Sequence, residues 1–83
     1  MAAEKHPDLT LRDLCPGQKG LVTGLLPEHP TLLRKLQSMG IVGGTLIEVM
    51  ERAPLGDPLA VRVRGYRLAL RLDEASTIMV VQV

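Results

Sequence analysis

Ala53-Pro54-Leu55-Gly56-Asp57-Pro58-Leu59-Ala60-Val61-Arg62-Val63-Arg64-Gly65-Tyr66-Arg67-Leu68-Ala69-Leu70-Arg71 is the stretch whose pattern decides the fold. Leu59, Val61 and Val63, then Tyr66, Leu68, Leu70 and Leu72, alternate with polar or small residues, which is the period of a strand with one buried face. A two-residue connection at Arg64-Gly65 places Val63 opposite Tyr66, Val61 opposite Leu68 and Leu59 opposite Leu70, so the two apolar faces coincide and the register is fixed. The stretch therefore predicts a β-hairpin. The same register sets Arg62 against Arg67 on the outer face, with Arg64 at the turn. Like charges directly across a pair are destabilising, so either acids on a neighbouring strand, such as Glu48 or Glu51, or an acidic partner surface should offset them.

Working outward, the loop before the hairpin is stiffened by Pro54 and Pro58, Gly56 supplies an unusual backbone angle, and Asp57 is suited to bond its own local amides. Leu55 is the odd member, an aliphatic side chain among turn formers. It either folds back under the sheet or stands out as an anchor. Upstream, Thr45 to Arg52 reads as a strand with Ile47 and Val49 on one side and Leu46 and Met50 on the other, a pattern that predicts a strand dry on both faces.

The one convincing helix runs from about Pro30 to Met39. Proline is welcome at its start, Leu32, Leu33, Leu36 and Met39 share a face, and Gly40 is placed to close it in the left-handed conformation with Ile41 folding back. Lys19 to Leu26 predicts a first strand in which Gly20 and Gly24 permit a bulge or close approach of another strand. Leu11 to Leu14 fits one helical turn stopped by Pro16 and Gly17. Asp73 is placed to cap a second turn, and Ile78 to Val83 predicts a last strand, apolar on both sides. Five short strands, one helix and two helical turns imply a mainly β fold, a small closed barrel of about five strands. Residues 1–8 read as a flexible tail and 9–83 as a single domain.

An 83-residue chain with 46% hydrophobic residues suffices for one aliphatic core without disulfides. Tyr66 is its sole aromatic residue and the net charge is +1, so neither base stacking nor a global basic field is provided for and no nucleic-acid partner is expected. A lone Cys15 cannot form an internal disulfide and reads as a small, at least partly buried thiol. No stretch approaches the roughly 20 apolar residues that span a bilayer, and the N-terminus has no apolar signal core, so a cytoplasmic protein without membrane insertion is expected. His6, His29, Cys15, Asp57 and the dispersed methionines offer no ligand pair at coordinating spacing. No nucleophile–base pair, phosphate loop or dinucleotide motif is present, so no enzyme activity and no cofactor are expected, and function should lie in a surface.

Leu36-x-x-Met39-Gly40-Ile41-x-Gly43-Gly44-Thr45-x-Ile47-x-Val49, then Ala53 to Leu59, then Gly65-x-x-Leu68-Ala69-Leu70-Arg71 resemble the ferrous iron transport protein A (FeoA) family over about Leu11 to Val83. Gly43 stands where that family usually carries proline. The resemblance implies an SH3-like barrel, a cytoplasmic location and a supporting role for the FeoB-type ferrous iron transporter, a membrane protein with a GTP-binding domain. It suggests an adaptor in which Leu55, Gly56, Asp57 and Pro58, with Arg62, Arg64 and Arg67, contact that transporter and hold the protein at the inner face of the membrane. An alternative is direct Fe(II) binding, since the same barrel occurs in metal-dependent repressors. Self-association stays open.

Overall fold

The computed structural model describes residues 9–26 and 29–83, so the expected tail over residues 1–8 lies outside the described residues. Six strands form one antiparallel sheet: β1 (Leu9–Thr10), β2 (Lys19–Leu25), β3 (Leu46–Arg52), β4 (Leu59–Val63), β5 (Tyr66–Leu70) and β6 (Ile78–Gln82). Their order across the sheet is β1-β6-β2-β3-β4-β5. Helix α1 (Pro30–Ser38) connects β2 to β3, α2 (Leu72–Ala75) connects β5 to β6, and a 3-10 turn occupies Leu11–Asp13. The fold is mainly β, as the alternation predicts, with two corrections. Among the described residues there are six strands rather than five, because Leu9 and Thr10 pair with Val80 and Met79. The ladder does not close, because β1 turns away into the 3-10 helix after two residues and β5 is left as the opposite edge.

The hairpin forms in the expected register, Leu59 with Leu70, Val61 with Leu68 and Val63 with Tyr66. Its turn has positive φ at both central residues, +51° at Arg64 and +86° at Gly65, the twist of a type I′ connection. Strand β2 has its irregularity between Val22 and Gly24 against β6, the glycine-assisted bulge its sequence permits. Gly20 faces inward at the close approach: a Cβ there would lie 3.0 Å from Val80 Cβ and 2.9 Å from Leu14 Cδ1.

Helix α1 ends as Gly40 and Ile41 require. The Gly40 amide donates to the Gln37 carbonyl and the Ile41 amide to the Leu36 carbonyl while Gly40 holds φ +85°, a Schellman closure with Leu36 and Ile41 both buried. Thr45 Oγ1 then donates to the Gly40 carbonyl at 3.1 Å, which fixes the 40–45 loop to the helix end. The core gathers Leu11, Leu14, Val22, Leu36, Ile41, Ile47, Val49, Leu59, Val61, Val63, Leu70, Ala75, Ile78 and Val80. Arg52 ties the 3-10 turn to β3 by donating to the Arg12 and Leu14 carbonyls at 2.6 and 2.7 Å.

Five local expectations are corrected. Strand β3 is not dry on both faces: Leu46 is exposed, because the outer face of the sheet is open there. Likewise Val81 of β6 is exposed while Ile78 and Val80 are buried. Tyr66 is exposed at the hairpin end rather than buried, and its hydroxyl donates to the Met39 carbonyl at the end of α1. Helix α2 starts two residues earlier than a cap at Asp73 would place it. Its N-cap is Arg71, whose amide donates to Glu74 Oε1 at 2.9 Å, and Asp57 Oδ1 accepts the Leu72 amide at 3.1 Å. Asp57 thus serves another element, not its own loop.

Candidate functional site

The 53–58 loop is closed by backbone bonds, from the Gly56 amide to the Ala53 carbonyl at 2.7 Å and from the Ala53 amide to the Pro58 carbonyl at 3.1 Å. Pro54 and Leu55 occupy the central positions of that tight turn, where proline is favoured first and the next side chain is turned outward. Gly56 follows with φ +87°, and Asp57 anchors the loop to α2. Leu55 stands 94% exposed at the tip. Full exposure forgoes the ~1.5–3 kcal/mol that burying a leucine side chain supplies.

The arginines lie along β4 and β5. Arg62 sits directly opposite Arg67, and the offsetting acids come from β3: Glu48 is in register with Arg62, and Glu51 Oε1 is 3.8 Å from Arg67 Nη2. Lys19 of β2 is in register with Glu48 on its other side. A single row, Lys19, Glu48, Arg62, Arg67, therefore crosses four strands. Arg64 extends beyond it on the turn, its Cδ and Nε close over Gly40 at the C-terminus of α1, where a positive charge meets the partial negative charge of the helix end.

The loop and the turn are at opposite ends of β4. That strand has five residues, so the end of the loop and the start of the turn lie roughly 15 Å apart at about 3.3 Å per residue. The seven residues suggested by the sequence thus fall into a knob (Leu55, Gly56, Asp57, Pro58), a paired arginine (Arg67) and a groove pair (Arg62, Arg64). The groove has a volume of about 440 Å³ and is lined also by Lys19, Gly44, Thr45, Leu46, Glu48 and Gly65. Sequence reasoning named Glu48 as an acid offsetting the arginines, which its register with Arg62 bears out, but missed Lys19 and Leu46. Their signal was the outward phase of β2 and β3, usable only once those strands are paired.

Glu74 joins the helices. Its Oε2 is 2.8 Å from Lys35 Nζ of α1 while Oε1 caps α2. Burial acts to raise its carboxyl pKa, but the Lys35 ammonium and the Arg71 amide outweigh it and hold the group below its ordinary value. Cys15 is exposed, a correction to the expected buried or partly buried thiol, because it lies on the surface turn that Gln18 Oε1 secures by accepting its amide at 2.7 Å. His29 is the N-cap residue of α1 and makes no side-chain cap bond. Among the described residues no three His, Cys, Asp or Glu side chains group as metal ligands, and no helix is long and apolar enough to cross a membrane.

The FeoA domain family model matches residues 9–82. The solved structure of a FeoA-like protein from Clostridium acetobutylicum is 42% identical, with a TM-score of 0.84 over 93% of this chain and 88% of that chain. Stenotrophomonas maltophilia FeoA complexed with zinc, described as a prokaryotic SH3 domain protein, is 30% identical, with a TM-score of 0.79 over 88% of this chain and 89% of that one. A manganese-dependent transcriptional repressor shares the fold at 24% identity and a TM-score of 0.86; the match covers 95% of this chain but 43% of the repressor. The SH3-like sheet, the Gly40 helix stop and the family match over residues 9–82 together place the chain in the FeoA family.

Proposed function

We propose that the chain is a cytoplasmic accessory protein of ferrous iron uptake, one that docks on the GTP-binding part of a FeoB-type membrane transporter and modulates it. In this reading it performs no reaction of its own. The observation that carries the proposal is Leu55, an aliphatic side chain held fully out in water by a hydrogen-bonded loop. A preformed apolar knob loses little conformational freedom on binding, so its burial would go largely into affinity. Gly56, Asp57 and Pro58 shape the knob, and Arg62, Arg64 and Arg67, further along β4 and β5, supply a second, positive contact. Membership of the FeoA family supports the link to ferrous iron transport.

Calorimetric titration of the full chain into the isolated cytoplasmic domain of the transporter tests it. Leu55→Ser should weaken binding by about tenfold or more, the scale of burying one aliphatic side chain, with an unchanged melting temperature. Equal affinity for both proteins would remove the loop from the interface. The zinc complex of the Stenotrophomonas relative motivates a second reading, direct Fe(II) binding. A tight one-site isotherm with Fe(II) alone under anaerobic conditions would favour it over docking.

A further inference from the structure

Two rows of side chains run side by side on the outer face of the sheet. Val81, Leu21 and Leu46 are in register across β6, β2 and β3, with Leu46 48% and Val81 43% exposed. Two residues along the strands lies the charged row that begins at Lys19 and runs through Glu48 to Arg62. Beside the Arg64-Gly65 turn the face dips into the groove of about 440 Å³, so cations and an aliphatic side chain share one concavity.

We propose that this groove seats an acidic, aliphatic polypeptide segment of a partner, its carboxylates meeting Lys19, Arg62 and Arg64 while an aliphatic side chain covers Leu46. The inference rests on the adaptor reading and names the chemistry of the partner's contacting segment. Charge complementarity carries it. The whole chain has a net charge of +1, yet three cations and one carboxylate converge here. Among the described residues none of the three cations forms an ion pair within 4.0 Å, unlike Lys35 and Arg67.

Arg64 adds an independent observation. Its φ of +51° is the conformation in which a type I′ turn prefers asparagine or glycine, so the turn itself does not call for arginine. Its stem lies against Gly40, and its side chain contributes to the groove wall. Two other occupants fit less well. A bilayer is too flat to enter a concavity and would meet Glu48 in the middle of the row. A nucleobase would find no aromatic ring in the lining on which to stack.

The test uses the isotopically labelled full chain and a capped, soluble helical peptide of glutamates with leucine at every third or fourth position. Amide shift mapping should mark Lys19, Leu46, Arg62 and Gly65, and the affinity should fall as salt rises. Arg64→Asn and Leu46→Ser should each weaken the peptide by about fivefold or more. Arg64→Asn installs the favoured Asn-Gly turn, so its melting temperature should be at least that of the parent and the loss cannot be ascribed to unfolding. Shifts confined to 53–58, parental affinity in both variants, or co-sedimentation with phosphatidylglycerol vesicles in place of peptide binding would overturn the proposal. With the transporter's cytoplasmic domain, loss from Leu55→Ser alone retains docking and overturns the groove. Loss from the groove variants alone retains the groove and moves docking off the loop. Loss from neither overturns both readings.

Discussion

Gly40 shows how much one backbone angle carries. At φ +85° it lets α1 stop, delivers Ile41 to the core and leaves room for the Arg64 stem, whose Cδ and Nε would lie 3.3 Å from an added Cβ. Gly40→Ala should therefore cost about 1–2 kcal/mol, chiefly the left-handed strain, and a urea titration checks it. Leu55 is the opposite case. It makes no core contact to lose, so Leu55→Ser should leave the urea midpoint within the ±0.5 kcal/mol usual for surface changes. The helix stop was legible because its residues are adjacent in sequence. The left-handed angle at Arg64 was not, since nothing about arginine announces it; the two-residue connection between matched strands imposes it.

At the scale of elements, the contacts of interest bridge partners far apart in sequence. Glu74 caps α2 and pairs with Lys35 of α1, and its carboxyl pKa is lower folded than unfolded. A group so depressed stabilises the fold at pH values above its unfolded pKa, and that contribution is lost as the pH falls through the folded one. Stability should thus decline in acid below about pH 4.5, and Glu74→Gln should flatten part of that decline in urea titrations run across pH. Glu74→Ala, which removes cap and bridge together, should cost about 1–2 kcal/mol near neutral pH. Gly20→Ala should cost about 1–3 kcal/mol, since the new methyl meets Val80 and Leu14 at the core. The two hairpin strands were readable from alternation alone, whereas the wet outer faces of β3 and β6 were not. The cap of α2 was not, because Asp73 and Glu74 are both acidic neighbours, and a lysine some forty residues upstream decides between them.

For the molecule as a whole, the open ladder leaves β6, β2, β3 and β4 paired on both sides, with β1 a short edge on the far side from β5. We propose that 9–83 is a self-contained folding unit. A chain starting at Leu9 should keep the parental melting temperature, whereas one starting at Leu11 should melt lower, because Leu9 packs on the core and Thr10 shares hydrogen bonds with Asp13. The hairpin, the helix and the single-layer aliphatic core were legible because each follows from a local period. The sixth strand and the groove were not, as both exist only through cross-strand register between segments distant in sequence. The Tyr66 phenol, bonded to the end of α1, has a practical consequence. With no tryptophan in the chain, tyrosine emission comes from this one ring. Its intensity is therefore a label-free gauge of whether the hairpin tip stays latched to the helix as temperature, denaturant or a bound protein acts on the fold.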